Sequence, residues 1–205
     1  MEEILRKIFN QIVVLQKEVN LKWIKSEDYI KFNYKTKEVV DINLEDKLQE
    51  TIFNYRKFLV DNDIDLFDYG KNYLVNSRIK NIDSIYDKIY KYTHYHNNGK
   101  EPINKCFNDL FGVRIIFNYD FSFDDINNVF EKIKSDYDIN LKCIDSSKKD
   151  YVATHIYFKI DNYNFPWELQ IWSIKDAKNN IISHSKYKQE YKEWQDKLKG
   201  GDINA

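Results

Sequence analysis

The 205-residue chain has almost no cysteine, little glycine and no long apolar run. Its two cysteines, Cys106 and Cys143, stand in unrelated contexts, with no CxxC pair and no Cys/His spacing suited to zinc. Both read as reduced, buried thiols. The apolar stretch from Ile12 to Leu15 is too short for a signal-peptide core or a membrane span, and the N-terminus Met1-Glu2-Glu3 is acidic, so a cytoplasmic protein without a membrane partner is expected. A formal net charge of −1 excludes a global basic signature, although 32% charged residues of both signs leave room for local patches. There is no Walker A sequence, no GxGxxG, no internal repeat and no low-complexity linker. Alanine and glycine are scarce while Lys, Asn, Ile and Tyr abound, the pattern of an AT-rich coding sequence, so sixteen tyrosines carry little weight.

What is present is enough for one domain, or a domain with helical extensions, since 42% of residues are hydrophobic. Ile4, Ile8, Ile12, Leu15 and Val19 recur at helical spacing over Glu3 to Lys25, as do Leu48, Ile52, Tyr55 and Leu59 over Leu44 to Asp61. A strand is expected at Tyr73 to Ile79, then a helix from Ile85 to Tyr92 capped by Asp83 or Ser84, then a strand around Val113 to Phe117. Ser122 to Asp136 reads as a helix capped by Ser122 or Asp124, and Leu141 to Ile144 as a short strand. His155 to Ile160 and Trp167 to Trp172 read as a hairpin around Asp161-Asn162-Tyr163-Asn164, and Ile174 to Leu198 as closing helices. The order of elements predicts an α/β (α+β) protein with a mixed sheet of about five strands flanked by helices.

Within these elements, the period of two puts Glu168 and Gln170 on one strand face, while Asp109 precedes Gly112 and the strand through Arg114. Two carboxylates from separate strands suit Mg²⁺, which leaves room for water and substrate phosphates. By composition alone, a solvent-facing Glu168 and a turn-forming Asp109 fit at least as well. Arg78 and Lys80 share a strand face, and Ser84 and Lys88 a helix face just beyond it, a cationic corner that suits a triphosphate; taken alone, a solvated charge run fits better. Tyr151 at a loop end offers a ring to stack a base, with His155 placed to hydrogen-bond or move a proton, and core packing with a surface histidine is equally economical. His184 and Tyr187 lie three apart on the last helix, where a histidine more often caps or packs than ligates. His94 and His96 flank a loop and form no ligand set.

Taken in order, these segments resemble the RelA/SpoT synthetase family. Arg78-x-Lys80-x-x-x-Ser84-Ile85-x-x-Lys88 is similar to its ATP-binding segment, and Asp109-Leu110-Phe111-Gly112-Val113-Arg114 to its metal-binding aspartate motif. Tyr151 and His155 fall on its Gly-Tyr-x-Ser-x-His segment, Glu168-Leu169-Gln170-Ile171 on its Glu-x-Gln-Ile segment, and His184 with Tyr187-Lys188 on its terminal helix. The resemblance spans roughly residues 50 to 190 and implies a nucleotidyltransferase-like synthetase domain over 1–205: a helical extension at 1–45, a catalytic core at 46–190, and a C-terminal helix and tail at 191–205. It further implies Asp109 and Glu168 as Mg²⁺ ligands and catalytic carboxylates, and Arg78, Lys80, Ser84, Lys88 and Arg114 around ATP. Tyr151, His155, Gln170 and His184 would face the acceptor. The implied reaction moves the β,γ-pyrophosphate of ATP to a ribose 3′ hydroxyl.

Asp150 stands where the family usually has glycine, Val152-Ala153 where Arg-Ser often follows, and Trp172 where a basic residue is usual. All three departures fall on the acceptor side. With Phe165-Pro166-Trp167-Glu168 and Ala153-Thr154-His155, the chain resembles the toxic small alarmone synthetases of toxin–antitoxin modules. That implies the tRNA 3′ end as acceptor, a cognate antitoxin as partner, and basic contacts to tRNA from Lys22, Lys25 and Lys31 or from Lys186, Lys188 and Lys192. The alternatives are a synthetase of (p)ppGpp or of an adenosine alarmone, or a non-catalytic nucleotide-binding module.

Overall fold

A computed structural model describes residues 1–31, 42–95 and 99–183. His96, His184, Tyr187, Lys186, Lys188, Lys192, the part of the expected closing helices beyond 183 and the expected tail at 191–205 lie outside the described residues. The elements are α1 (Glu2–Trp23), α2 (Ile42–Asp61), β1 (Asp68–Gly70), β2 (Tyr73–Ile79), α3 (Ile82–His94), α4 (Ile103–Cys106), β3 (Phe111–Phe117), α5 (Phe123–Ile133), β4 (Asn140–Asp145), β5 (Thr154–Lys159), β6 (Trp167–Ser173) and α6 (174–183).

The six strands form one mixed sheet in the order β1-β2-β3-β6-β5-β4, parallel only between β3 and β6. The additional strand is the three-residue β1, too short for alternation to reveal it. The β5–β6 hairpin forms as expected. Helix α5 starts at Ser122, which accepts from the Asp125 amide while Asp125 accepts from the Ser122 amide. Helix α3 is capped two residues before the first of its expected caps. Asn81 holds an extended backbone and its side chain accepts from the Asp83 amide, because the chain leaves β2 directly into the helix.

One face of the sheet is the core. Val75, Val113, Ile115, Phe117, Ile156, Phe158, Leu169 and Ile171 are all buried there, against Leu5, Ile8, Phe9 and Ile12 of α1 and Leu48, Ile52 and Tyr55 of α2. Gln16 of α1 donates to the Phe158 carbonyl, and Trp167 Nε1 donates to the Tyr55 hydroxyl, so both leading helices are pinned to the sheet. Cys106 is buried as expected, but Cys143 is only half-buried, since it sits on β4, an edge strand with one neighbour.

Candidate active site

The opposite face carries the polar residues, and strand register aligns them into rows. Arg78, Gly112, Glu168, Tyr157 and Lys142 form one row across β2, β3, β6, β5 and β4. Asn76, Arg114, Gln170 and His155 form the next. Partners in register project to the same side of a sheet, so residues scattered over more than ninety positions meet on one surface.

Glu168 is 4% exposed and Asp109 9% exposed, which overturns the expectation of ordinary surface carboxylates. The cause is topological. β6 lies at the middle of the sheet, and every one of its residues is buried. A buried carboxylate needs partners, and both have them. Lys80 Nζ donates to Asp109 Oδ2 at 2.6 Å and Lys88 Nζ to Oδ1 at 3.0 Å. Burial opposes ionisation of Asp109, but the charges of Lys88 and Lys80 outweigh it and hold the carboxyl well below the usual carboxylate range. Burial also works against the Lys88 ammonium, and Asp109 reverses that effect and raises it. The Lys80 amide donates to the Leu110 carbonyl and Arg56 Nε donates to the Lys80 carbonyl, so the lysine's backbone is fixed from two sides.

Glu168 Oε1 lies 3.0 Å from His155 Nδ1, and Oε2 accepts from Gln170 Nε2 at 2.8 Å. Burial would raise this carboxyl, and the hydrogen bond from His155 overrides it, leaving it below its ordinary value. In the tautomer that donates Nδ1–H to Glu168, His155 Nε2 accepts from the Tyr151 hydroxyl at 2.9 Å. Burial pushes the Tyr151 hydroxyl up to about 12, so it remains a donor at neutral pH. Arg78 approaches Glu168 Oε2 to 4.0 Å from two strands away, across Gly112. A Cβ on Gly112 would stand 3.4 Å from Arg78 Nε and 3.9 Å from Glu168 Oε2.

Arg114 donates to Gln170 Oε1 at 2.9 and 3.2 Å, and its guanidinium lies 3.6 Å over the Trp172 ring. Burial, with Arg78 nearby, pulls the Arg114 guanidinium down to about 10. Tyr151 meets the same Trp172 edge-on at 6.0 Å. Ser84 is half-buried one turn before Lys88 on α3 and stands outside the Lys80–Asp109–Lys88 contacts. His94 is exposed at the end of α3 and takes no part. Lys22, Lys25 and Lys31 are exposed, Lys31 lying 4.0 Å over the Tyr163 ring.

Of the eleven residues expected around metal, donor and acceptor, all but His184 lie within the described residues; nine line this face, and Ser84 stands at its border. Sequence reasoning missed the approach of Arg78 to Glu168 across Gly112, which depends on the register of β2, β3 and β6. It also missed Asn180, which nothing in the local pattern marks. An open groove of about 500 Å³ lies elsewhere, between α1 and residues 65–67, lined by Gln11, Val14, Leu15, Glu18, Leu66 and Phe67. It holds none of the paired carboxylates or lysines.

Among the described residues no three His, Cys, Asp or Glu side chains converge as a metal cluster. The pair Asp109 and Glu168 nonetheless fits Mg²⁺, a hard cation that takes one or two carboxylates and completes its shell with water and phosphate oxygens. No helix of the described residues is long and apolar enough to cross a membrane.

Residues 77–192 match the family model described as the region found in RelA and SpoT proteins. No curated protein matches the chain. Among solved structures it is similar to small alarmone synthetase 1 from Bacillus subtilis, at 20% identity and a TM-score of 0.44, over 71% of this chain and 81% of that one.

Proposed function

The chain belongs to the RelA/SpoT family, and on that premise we propose that it is an ATP-dependent pyrophosphokinase acting on the 3′ hydroxyl of the tRNA CCA end. The acceptor oxygen attacks the β-phosphorus of ATP, the bond from that phosphorus to the α,β-bridging oxygen breaks, and AMP leaves. The strongest support is the buried carboxylate pair, Asp109 and Glu168, on a sheet face that also presents Arg78, Lys80, Lys88 and Arg114. Four fixed cations around two buried anions suit a polyphosphate, which offers the lysines and arginines more negative charge than the protein itself supplies.

Asp109 and Glu168 would hold Mg²⁺, which supplies charge neutralisation at the phosphate oxygens when bound. Arg78, Lys80 and Lys88 hold the donor phosphates, with Ser84 and Arg114 at the border of that site. Glu168 takes the proton of the attacking hydroxyl while His155 and Gln170 fix the orientation of its two oxygens. Tyr151 stacks the acceptor base, backed by Trp172. Positioning and charge carry most of such a reaction.

The tRNA end is favoured by the acceptor side. Trp172 fills with an aromatic wall, already occupied by Arg114 and Tyr151, the place of a family cation, and Asp150 adds a negative charge. A terminal adenosine carries no 5′ polyphosphate to be clamped there. Such a modification blocks aminoacylation and so inhibits translation, and a protein of that kind needs a cognate antitoxin. Incubation with γ-labelled ATP and either tRNA or GDP tests the proposal. Label in tRNA is the expected result. Label only in guanosine nucleotide would replace it with (p)ppGpp synthesis, and label only in AMP, ADP or ATP with adenosine alarmone synthesis.

A further inference from the structure

Asn180 is fully buried on α6, and both polar atoms of its side chain bond the backbone of one residue. Its Oδ1 accepts from the Val152 amide at 2.8 Å, and its Nδ2 donates to the Val152 carbonyl at 2.8 Å. A carboxamide donates and accepts in one plane from adjacent atoms, as a neighbouring strand would. The place of Val152 in the loop explains why it is the residue held. Ser146 donates to the Ala153 carbonyl, and Lys148 and Tyr151 exchange both backbone bonds, so the small hairpin at 146–153 closes on itself through those residues. The N–H and C=O of Val152 bond outside that ladder, and the residue is 45% exposed, so packing does not fix it.

One turn earlier on α6, Ala177 packs with Ala153 and Trp172, and Tyr151 leans on the same cluster. Tyr151 is therefore held at three points: its hydroxyl by His155, its ring edge by Trp172, and its following peptide by Asn180. A buried amide is costly unless both its groups are satisfied, and here both are satisfied by the residue next to the ring proposed to stack the acceptor.

We infer that Asn180 is a positioning residue for the acceptor: by clamping the Val152 backbone on both its N–H and its C=O it presets the Tyr151 ring for the acceptor base. This rests on the acceptor role proposed above for Tyr151. A loop ordered before binding loses less freedom when the acceptor arrives, so the clamp acts on acceptor affinity and leaves the donor side alone.

Amide hydrogen exchange and steady-state kinetics test it together, on wild type, Asn180→Ala, Asn180→Asp, Tyr151→Ala and the double variant Tyr151→Ala/Asn180→Ala. In Asn180→Ala the Val152 amide should exchange faster, acceptor KM should rise about tenfold for the two lost bonds, and affinity for a non-hydrolysable ATP analogue should stay unchanged. Asn180→Asp keeps the shape and the bond from the Val152 amide but sets a carboxylate against the Val152 carbonyl, and should show the same split if the alanine variant fails to fold. Because the clamp works through Tyr151, adding Asn180→Ala to Tyr151→Ala should change acceptor KM little further. Additive losses in the double variant, or equal losses in acceptor and ATP affinity, would overturn the inference. A wild type that transfers label to no acceptor would sink the proposed reaction itself, and the inference with it.

Discussion

Lys80 and Asp109 meet at 2.6 Å, with both side chains nearly closed to solvent, and Lys88 takes the other carboxylate oxygen at 3.0 Å. A divalent cation must therefore compete with two ammonium groups for Asp109, and a triphosphate offers those ammonium groups another partner. Nucleotide and metal should accordingly bind together. Mn²⁺ titration followed by electron paramagnetic resonance should show weak binding to the protein alone and tighter binding with a non-hydrolysable ATP analogue. Lys88→Met should strengthen nucleotide-free Mn²⁺ binding and weaken binding of the analogue; the same Mn²⁺ affinity with and without analogue would refute the coupling.

Asp109→Asn should lower pyrophosphate transfer by about 10²–10³-fold, the usual loss when a preorganised electrostatic group is removed. It leaves Lys80 and Lys88 without their carboxylate, so a loss of stability of about 3 kcal/mol at neutral pH is also expected. The folded-state pKa of Asp109 lies below its unfolded value of about 3.9, so its contribution is complete above that pH and disappears as pH falls through the folded value. The stability gap between wild type and variant, measured by denaturant unfolding at a series of pH values, should shrink in acid. A gap that stays constant to pH 3 would show that Asp109 is not held ionised by the lysines.

The candidate residues themselves were legible in the sequence, and their environment was not. Period-two alternation put Glu168 and Gln170 on one face and Arg78 with Lys80 on another strand's face, and register then joined the two. Which face was buried depended on β6 lying between β3 and β5, a long-range pairing that no local pattern encodes. The Asn81 cap lies two residues before the first expected cap because Asn, Asp and Ser serve equally well as caps at a strand-to-helix junction. Asn180 resembles any polar helix residue until Val152 is seen against it.

Gly112→Ala tests whether Arg78 needs the open position at Gly112. In a strand interior, alanine is favoured over glycine by roughly 0.5–1 kcal/mol, so the variant should unfold at the same or a slightly higher denaturant concentration. Its Cβ would meet Arg78 Nε at 3.4 Å and Glu168 Oε2 at 3.9 Å, ordinary van der Waals contacts, so the guanidinium keeps its approach to Glu168. ATP KM and acceptor KM should both stay near wild type. A several-fold rise in ATP KM would show that the approach does depend on that opening.

Tyr151 is proposed to contribute a ring and a hydroxyl with separable roles. Tyr151→Ala removes the stacking surface and should weaken acceptor use by ~1–3 kcal/mol, which is roughly 5- to 150-fold in acceptor KM, with ATP binding unaffected. Tyr151→Phe keeps the ring against Trp172 and removes only the hydroxyl that His155 Nε2 accepts from. Acceptor KM should then stay near wild type while kcat falls, because His155, which orients Glu168, loses its outer partner. If the phenylalanine variant instead matches the alanine variant in KM, then the hydroxyl, and not the ring, holds the acceptor.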